Sequence, residues 1–135
     1  MTIEFILGNR SKANLIGVHK DLVKVVKRAL VISEIDFAVI EGVRTLSRQR
    51  ELFEIGASNT IQSRHLTGHA IDLAAYVGGT IRWDWPLYYK IADAMKKAAN
   101  EKDIALEWGG DWLTMRDGPH FQLAWGIYPA ESVIA

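Results

Sequence analysis

The spacing of apolar and polar positions predicts helices and strands of distinct period along this chain. Apolar residues recur every three or four positions over 15–33, with lysines and arginines between them, which predicts an amphipathic helix. The β-rich run at 37–43 predicts a strand. Helical spacing returns over 85–101, where Asp84 is placed to cap the first turn and Pro86 falls within it. Two long helices and an early strand are therefore the first elements of the predicted fold.

Shorter patterns fill the intervals between these elements. In chain order they predict an extended lead-in over 1–13, a short helix over 48–55 capped by Ser47 and ended by Gly56, a loop over 57–64, strands over 70–74 and 80–83 joined by a turn at Gly78-Gly79, and strands over 105–108 and 119–125. This order predicts an α+β fold in which a small antiparallel sheet is flanked by helices.

Length and composition narrow the class of protein. A chain of 135 residues is long enough for one domain with a core and short for two, so we expect a single domain over 1–135. The 16 basic and 16 acidic residues cancel, which gives no general attraction to nucleic acid or to anionic membranes. No stretch approaches the roughly 18 apolar residues that span a bilayer. The chain has no cysteine, so any metal must be held by His, Asp or Glu.

The first candidate chemistry lies around His65 and Asp72. Side chains alternate along a strand, so Ala70, Asp72 and Ala74 share one face, and the two small neighbours leave room beside the carboxylate. Gly68 allows the chain to turn and to bring His65 back over that strand. The alternative is that Asp72 is a surface acid and His65 a loop residue, and this segment alone does not decide between them.

His65 and His69 also have the spacing of two metal ligands on one helical turn. We reject a metal-binding helix here because Gly68 is unfavourable inside a helix, no Glu follows His65, and the next residues favour a strand. We expect His69 to face solvent or to lie at the rim of the site.

The second candidate segment begins at Asp117 and leads into the last strand. His120, Gln122 and Ala124 share one face of that strand by alternation, and Gly118-Pro119 forces a turn just before it. The turn can bring Asp117 near the same metal without making it a ligand, where it could take a proton from an acidified water. The alternative is a plain turn. Two imidazoles, one carboxylate, an open position and a nearby base are the parts of a hydrolytic zinc site.

Several motifs resemble those of one peptidase family. The pattern Ser-x-His-x-x-Gly-x-Ala-x-Asp over 63–72 resembles the zinc motif of the D-alanyl-D-alanine peptidases of the VanX and VanY type, which belong with the lysostaphin and hedgehog folds. Asp117-Gly-Pro-His120 resembles the Asp-Gly-x-His motif of phage L-alanyl-D-glutamate endolysins, whereas VanX-type enzymes carry Glu at that acid. The segment 108–112 and Gly42-Val43-Arg44-Thr45 with Gln49 are also similar to this family, so the resemblance covers essentially the whole chain.

The resemblance implies a role for each of these residues. It implies one Zn²⁺ held by His65, Asp72 and His120, with Asp117 as general base and then acid, and Arg44 as a cation that polarises or orients the substrate. From the residues alone, a surface arginine is the favoured alternative for Arg44. The candidate substrate-binding residues are Ser63, Gln49, Asp111 and Trp112. Ser63 alternatively satisfies its own loop, and Asp111 alternatively supports a ligand histidine or is a turn acid. We expect at least two of the five tryptophans to be core and Trp112 to line a groove.

The function that the resemblance implies is an endolysin: a zinc peptidase that cuts the L-alanyl-D-glutamate bond of peptidoglycan stem peptides and lyses the host cell. We expect a monomeric catalytic domain without a separate cell-wall-binding domain. The acidic Glu4 near the N-terminus and the short apolar run do not suit a signal peptide. Synthesis in the host cytoplasm is then followed by holin-type release to the periplasmic peptidoglycan.

Two other functions remain open from the sequence. A D-alanyl-D-alanine carboxypeptidase or dipeptidase on the same scaffold has the same metal site, because its specificity depends on the shape of the pocket. A non-catalytic binding module stabilised by zinc, as in hedgehog domains, needs neither Asp117 nor Arg44, and a structural zinc site is usually closed by a fourth protein ligand.

Overall fold

Two long helices cover one face of a mixed-length antiparallel sheet, which confirms the predicted α+β class. The computed structural model describes residues 5–58, 60 and 62–130. Its helices are α1 (Asn9–Asn14), α2 (Lys20–Ile32), α3 (Leu46–Glu54) and α4 (Trp85–Lys102), its strands are β1 (Phe37–Glu41), β2 (Ala70–Val77), β3 (Thr80–Arg82), β4 (Leu106–Trp108) and β5 (His120–Leu123), and two 3₁₀ helices span Arg64–Thr67 and Gly109–Asp111. None of the described helices is both long and apolar enough to cross a membrane.

The strand order places β2 at the centre of the sheet. The order is β1-β2-β5-β4, and β3 pairs with the C-terminal half of β2 as a hairpin. Every pairing is antiparallel. In the register of β2 and β5, Asp72 lies opposite His120 and Ala70 lies opposite Gln122. Residues 48 or more positions apart in the sequence thereby become cross-strand neighbours on one face.

The opposite face of the sheet forms the core with α2 and α4. Ile71, Leu73 and Ala75 of β2 point into this core, and Phe121 and Leu123 of β5 lie beside them without solvent exposure. The apolar faces of the two helices cover these strands, and each fully buried Leu, Ile or Phe contributes roughly 1.5–3 kcal/mol. Alternation along β2 and β5 therefore leaves Asp72, His120 and Gln122 on the face away from the helices.

The N-terminal elements differ from the prediction. Residues 9–14 of the predicted extended lead-in form α1, while residues 1–4 lie outside the described part of the chain. The following helix begins at Lys20, not at 15, because Gly17 takes a left-handed conformation (φ 83°) that no helix continues through. The side chain of His19 caps α2 by accepting a hydrogen bond from the amide of Asp21.

The N-caps of α3 and α4 also differ from the prediction. Thr45, not Ser47, caps α3, accepting a hydrogen bond from the amide of Arg48. Asp84 occupies the N-cap position of α4 without a capping hydrogen bond, since its carboxylate pairs with Arg82. The last residue of the predicted loop over 57–64, Arg64, belongs to the first 3₁₀ helix. Residues 59 and 61 of this loop lie outside the described part of the chain.

Gly68 ends the first 3₁₀ helix in a crowded left-handed turn (φ 76°). A Cβ there would lie 2.5 Å from the carbonyl oxygen of Gly17, whereas at Gly56, with nearly the same φ of 77°, it would meet no described atom within 4 Å. Gly56→Ala should therefore cost about 1–2 kcal/mol of conformational strain. Gly68→Ala should cost about 1–3 kcal/mol more from overpacking.

Urea unfolding of both variants, with chelator present so that metal binding does not contribute, measures this difference. Equal destabilisation by the two substitutions would mean that the close approach of Gly68 to Gly17 does not constrain the fold.

Candidate metal site and active-site cleft

Three candidate ligands converge on one face of the sheet. Asp72 and His120 meet by strand pairing, and the 3₁₀ helix Arg64–Thr67 carries His65 over them. Oδ1 of Asp72 lies 3.3 Å from Nε2 of His65 and 3.4 Å from Nδ1 of His120. The three ligand atoms lie within 4.8 Å of one another, so these residues could hold one metal ion. The local sequence builds this arrangement because Ser63 caps the 3₁₀ helix and Gly68 ends it.

The second nitrogen of each histidine is held by an acceptor. Nδ1 of His65 lies 2.8 Å from the carbonyl oxygen of Gly42, which can only accept a hydrogen bond. Nε2 of His120 lies 2.8 Å from Oε1 of Gln122, and the amide of Gln122 in turn donates to Glu107. Each imidazole therefore carries its proton on the outer nitrogen and keeps the inner nitrogen free for a metal.

Two of the three inner atoms lack a hydrogen-bond partner in the described part of the chain. Among the described residues, buried Nε2 of His65 and Oδ1 of Asp72 have no hydrogen-bond partner. Buried polar atoms are rarely left unsatisfied, so this pair fits a bound cation. Burial works against the charge of Asp72, but His120 and His65 outweigh it and hold the pKa of that carboxyl well below its usual range. Asp72 is therefore an anionic ligand at neutral pH.

Asp117 lies beside this group through a close backbone approach. Its amide donates to the carbonyl oxygen of Gly109 at 3.0 Å. A Cβ on Gly109 would collide with the Asp117 carbonyl oxygen and would lie 3.1 Å from Cβ of His120, so only glycine fits between them. Burial, and then the charge of Asp72, raise the pKa of Asp117. A carboxyl with a raised pKa is a stronger base, which suits proton transfer at this position.

The charged end of Arg44 is held in place on the cleft wall. Nε and Nη2 bind the two carboxylate oxygens of Glu41 at 2.6 and 2.7 Å, and Nη1 binds Oε1 of Gln49 at 2.6 Å. Nη2 also lies 3.8 Å from Oδ2 of Asp72. This fixes a permanent positive charge next to the candidate metal ligands.

Gln49 and Ser63 serve mainly to support the site in this structure. Gln49 is fully buried and lies outside the cleft lining, because its amide is turned to Ser58 and to the carbonyl of Thr60 while its oxygen holds Arg44. Ser63 lines the cleft, but its hydroxyl accepts the amide of His65. The structure thus brings Ser63 to the cleft and leaves Gln49 behind it.

The segment after β4 separates Trp112 from Asp111. Trp112 lines the cleft, and its ring centroid lies 5.2 Å from that of His120. Asp111 turns the other way, and its exposed carboxylate pairs with Lys96 of α4 at 2.7 Å. The structure therefore does not place Asp111 with the other candidates. All five tryptophans are described and Trp108 alone is buried, so the expectation of at least two core tryptophans is wrong.

His69 also lies away from the metal site. Its Nδ1 is 2.8 Å from Oγ1 of Thr67 and its ring packs 5.4 Å from that of His19. It is partly buried there and does not line the cleft, so it lies neither at the rim nor freely in solvent.

Several residues without a role predicted from the sequence lie at the site in the structure. Glu107 and Gln122 orient His120, and the position of Gln122 two residues after a ligand histidine was the available signal. Tyr88 of α4 packs on Gly118, and no described residue partners its buried hydroxyl. Burial and the charges of Asp117 and Asp72 raise the pKa of Tyr88 to about 12. Nothing in the helical spacing distinguishes this tyrosine from a core residue.

Loss of the Gln122 side chain should weaken metal binding. Gln122→Ala removes the acceptor that fixes the His120 ring, which should lower metal affinity roughly 10–100-fold. Competition with a chromophoric chelator measures the affinity. Gln62→Ala is the matched control, because Gln62 is an exposed residue of the same cleft without a contact to a ligand. Equal affinities of the two variants would show that Gln122 does not orient His120.

These residues line an open cleft of about 950 Å³. Arg44, Ser63 and Trp112 lie on its walls together with the three candidate ligands and Asp117. A cleft of this size accommodates an extended peptide segment, and a partly buried acid beside three convergent candidate ligands suits hydrolysis.

The sequence of this chain matches one family of known proteins. Residues 3–123 match the family of phage L-alanyl-D-glutamate peptidases. The L-alanyl-D-glutamate peptidase of Escherichia phage T5 is 34% identical over 130 residues, which cover 93% of this chain and 94% of that protein.

Two solved structures extend this likeness to three dimensions. The Serratia marcescens L-Ala D-Glu endopeptidase ChiX is 51% identical, covers 95% of both chains and superposes with a TM-score of 0.89. The vancomycin resistance D,D-dipeptidase VanXYg is 20% identical over 78% of this chain and 50% of that one, with a TM-score of 0.51, which shows a likeness of fold. With a match to the family over residues 3–123 and a relative that is 34% identical over 93% of its length, this chain belongs to the phage L-alanyl-D-glutamate peptidases.

Proposed function

We propose that this protein is a zinc-dependent endolysin that hydrolyses the L-alanyl-D-glutamate bond of peptidoglycan stem peptides. The observation that carries the proposal is the convergence of His65, Asp72 and His120 beside the partly buried acid Asp117 in an open cleft. Nε2 of His65 and Oδ1 of Asp72 have no hydrogen-bond partner among the described residues. The relatives in Escherichia phage T5 and Serratia marcescens are named for this bond.

The donor set supports zinc as the metal. Two imidazole nitrogens and one carboxylate are a common set for catalytic zinc, which keeps a further position open. Tetrahedral ligands at about 2.1 Å from an ion lie about 3.4 Å apart. The separations of 3.3 and 3.4 Å from Oδ1 of Asp72 to the two histidine nitrogens agree with that spacing. Bound zinc supplies Lewis acidity, which polarises the scissile carbonyl and acidifies a water molecule.

The residues of the chain divide the remaining work. Asp117 takes a proton from the attacking water, whose oxygen forms the new bond to the carbonyl carbon. The carbon–nitrogen bond then breaks, and Asp117 returns the proton to the leaving amine. Arg44, held by Glu41 and Gln49, places its charge where negative charge develops on the carbonyl oxygen. The ring of Trp112 walls the cleft beside His120 and packs against the substrate.

The biological part of the proposal concerns lysis. We place residues 1–135 in a single catalytic domain that acts as a monomer on periplasmic peptidoglycan after holin-type release, and host cell lysis is the result. The T5 protein, of which this chain covers 94%, supports a single domain with the peptidase activity.

Digestion of purified Gram-negative peptidoglycan tests the function. Zinc-loaded protein should release fragments with new N-terminal D-glutamate and leave free L-alanine ends on the glycan, as identified by mass spectrometry. Protein treated with chelator should release none until zinc is restored.

The alternatives give different fragments. Release of D-alanine alone would assign a D-alanyl-D-alanine carboxypeptidase. Intact peptidoglycan in the presence of zinc would favour the non-catalytic binding module.

A further inference from the structure

Arg64 carries a buried charge that the proposed mechanism does not use. The residue is 3% exposed, lines the cleft and directly precedes the candidate ligand His65. Its Nη2 donates to the carbonyl oxygen of Leu123 at 2.6 Å. Nε and Nη1 are also buried, and neither has a hydrogen-bond partner within the described ranges.

Such an arrangement is costly without an anion. A guanidinium stays charged at any physiological pH, and a buried charge with unused donors carries a desolvation cost that a partner normally offsets. Within the described part of the chain, Arg64 has no carboxylate within ion-pair distance. Glu107 acts on it only from a distance, and one carboxylate oxygen of Glu107 accepts from Gln122.

The other arginines of the cleft are already engaged. Arg44 binds Glu41 and Gln49, as described above. Arg48 pairs with Glu51 at 3.1 Å. Arg116 donates to the carbonyl of Gly110 and to the hydroxyl of Tyr89. Arg64 is therefore the arginine of the described cleft lining whose unused donors are best suited to an anionic group of the substrate.

The substrate of the proposed function supplies such a group. D-glutamate has two carboxyl groups, and the continuing stem peptide uses one of them. The other remains free on the residue whose nitrogen leaves, close to the scissile bond. Arg64 lies close to the candidate metal ligands at two points. It directly precedes His65, and it hydrogen-bonds to Leu123, which is three residues after His120.

We propose that Arg64 binds the free carboxylate of the D-glutamyl residue and so determines specificity for an acidic residue after the scissile bond. This rests on the proposed function. Trp125 covers the guanidinium, with the ring centroid 4.0 Å from its central carbon, and is itself 48% exposed. Because Nε and Nη1 are enclosed, Trp125 moves aside when the carboxylate binds. The aromatic ring then serves as a cover that keeps the charge dry until the substrate arrives.

Two synthetic substrates test the role of Arg64. One is an L-alanyl-D-glutamyl peptide with the carboxylate free, and the other is the same peptide with that group converted to a carboxamide. The zinc-loaded wild-type protein should cleave the acid with a kcat/KM roughly 10–100-fold above that of the amide, as expected for a charge-assisted hydrogen bond. Arg64→Gln should reduce this ratio to about 1, and Arg64→Lys should keep part of it, because it keeps the charge.

Arg48→Gln is the matched control, since Arg48 lines the same cleft, is exposed and should leave the ratio unchanged. Equal cleavage of both peptides by the wild-type protein would overturn the role of Arg64 while L-alanyl-D-glutamate hydrolysis stands. A ratio that persists in Arg64→Gln, with both rates lowered together, would overturn it as well, because Arg64 would then only tie down Leu123. Cleavage of neither peptide by the wild-type protein would overturn the proposed function along with it. If Arg64→Gln does not fold, the ratios of kcat/KM for the two peptides in the wild-type protein and in Arg64→Lys still test the role of Arg64.

Discussion

Asp117→Asn should lower kcat roughly 10²–10⁴-fold, the usual contribution of a general acid–base residue, while the protein still binds one zinc ion. The substitution keeps the size of the side chain and the backbone contact with Gly109, but an amide cannot take up the water proton. Peptidoglycan turbidity assays measure the rate, and metal analysis of the same sample measures bound zinc.

Asp111→Asn is the matched control for this substitution. It removes an acid six residues away that is exposed and paired with Lys96 outside the cleft, so activity should stay within about twofold of wild type, as is usual for exposed positions. Wild-type rates in Asp117→Asn with zinc bound would remove Asp117 from the mechanism. Loss of zinc from that variant would instead make Asp117 a metal ligand.

The second large effect concerns the metal itself. His120→Ala should reduce zinc affinity by more than about 100-fold, because it removes one of three candidate ligands. A loss of about 100-fold is the upper end of the range for removing only a residue that hydrogen-bonds to a ligand. Hydrolysis should disappear with the metal. Equilibrium dialysis against zinc buffers measures the affinity, and circular dichroism establishes that the sheet is retained.

His69→Ala controls for loss of an imidazole elsewhere. His69 packs against His19 and does not line the cleft, so its variant should keep both zinc and activity. A loss of zinc in His69→Ala comparable to that in His120→Ala would show that the ion is not where the geometry places it.

The parts of the fold that follow from periodicity could be predicted from the sequence. Alternation along β2 and β5 separates the core residues from Asp72 and His120, and the pairing of these strands then brings the two together. The sequence also predicts the bounds of α4 closely, because Pro86 marks the first turn and the apolar spacing continues to the end of the helix. These are local signals, and the core reinforces them.

The misplaced elements depend on contacts that spacing does not encode. Residues 9–14 are mostly polar, and the sequence predicts them as part of an extended lead-in. The hydroxyl of buried Ser11 accepts a hydrogen bond from the amide of Val39 in β1, and this contact stabilises α1. Asp111 lies in a 3₁₀ helix whose direction is set by the packing of Trp108 and Gly110, so that it faces Lys96. Tertiary packing overrides local preference in both cases.

The support of the candidate site is equally invisible along the chain. The resemblance predicts Arg44 as a cation that polarises or orients the substrate and Gln49 as a substrate contact. The structure joins the two side chains to each other, and Gln49 is fully buried. The spacing of five residues between an arginine and a glutamine does not indicate which groups the glutamine side chain will hydrogen-bond. The unused donors of Arg64 likewise depend on the position of Leu123, 59 residues away.

The most direct test of this account is a zinc-edge anomalous map of crystals of the wild-type protein. The account predicts one ion about 2.0–2.2 Å from Nε2 of His65, Nδ1 of His120 and an oxygen of Asp72, with Asp117 nearby but not coordinating. An ion bound by Nδ1 of His65 or Nε2 of His120, or one coordinated by a fourth protein side chain, would contradict a catalytic zinc site here.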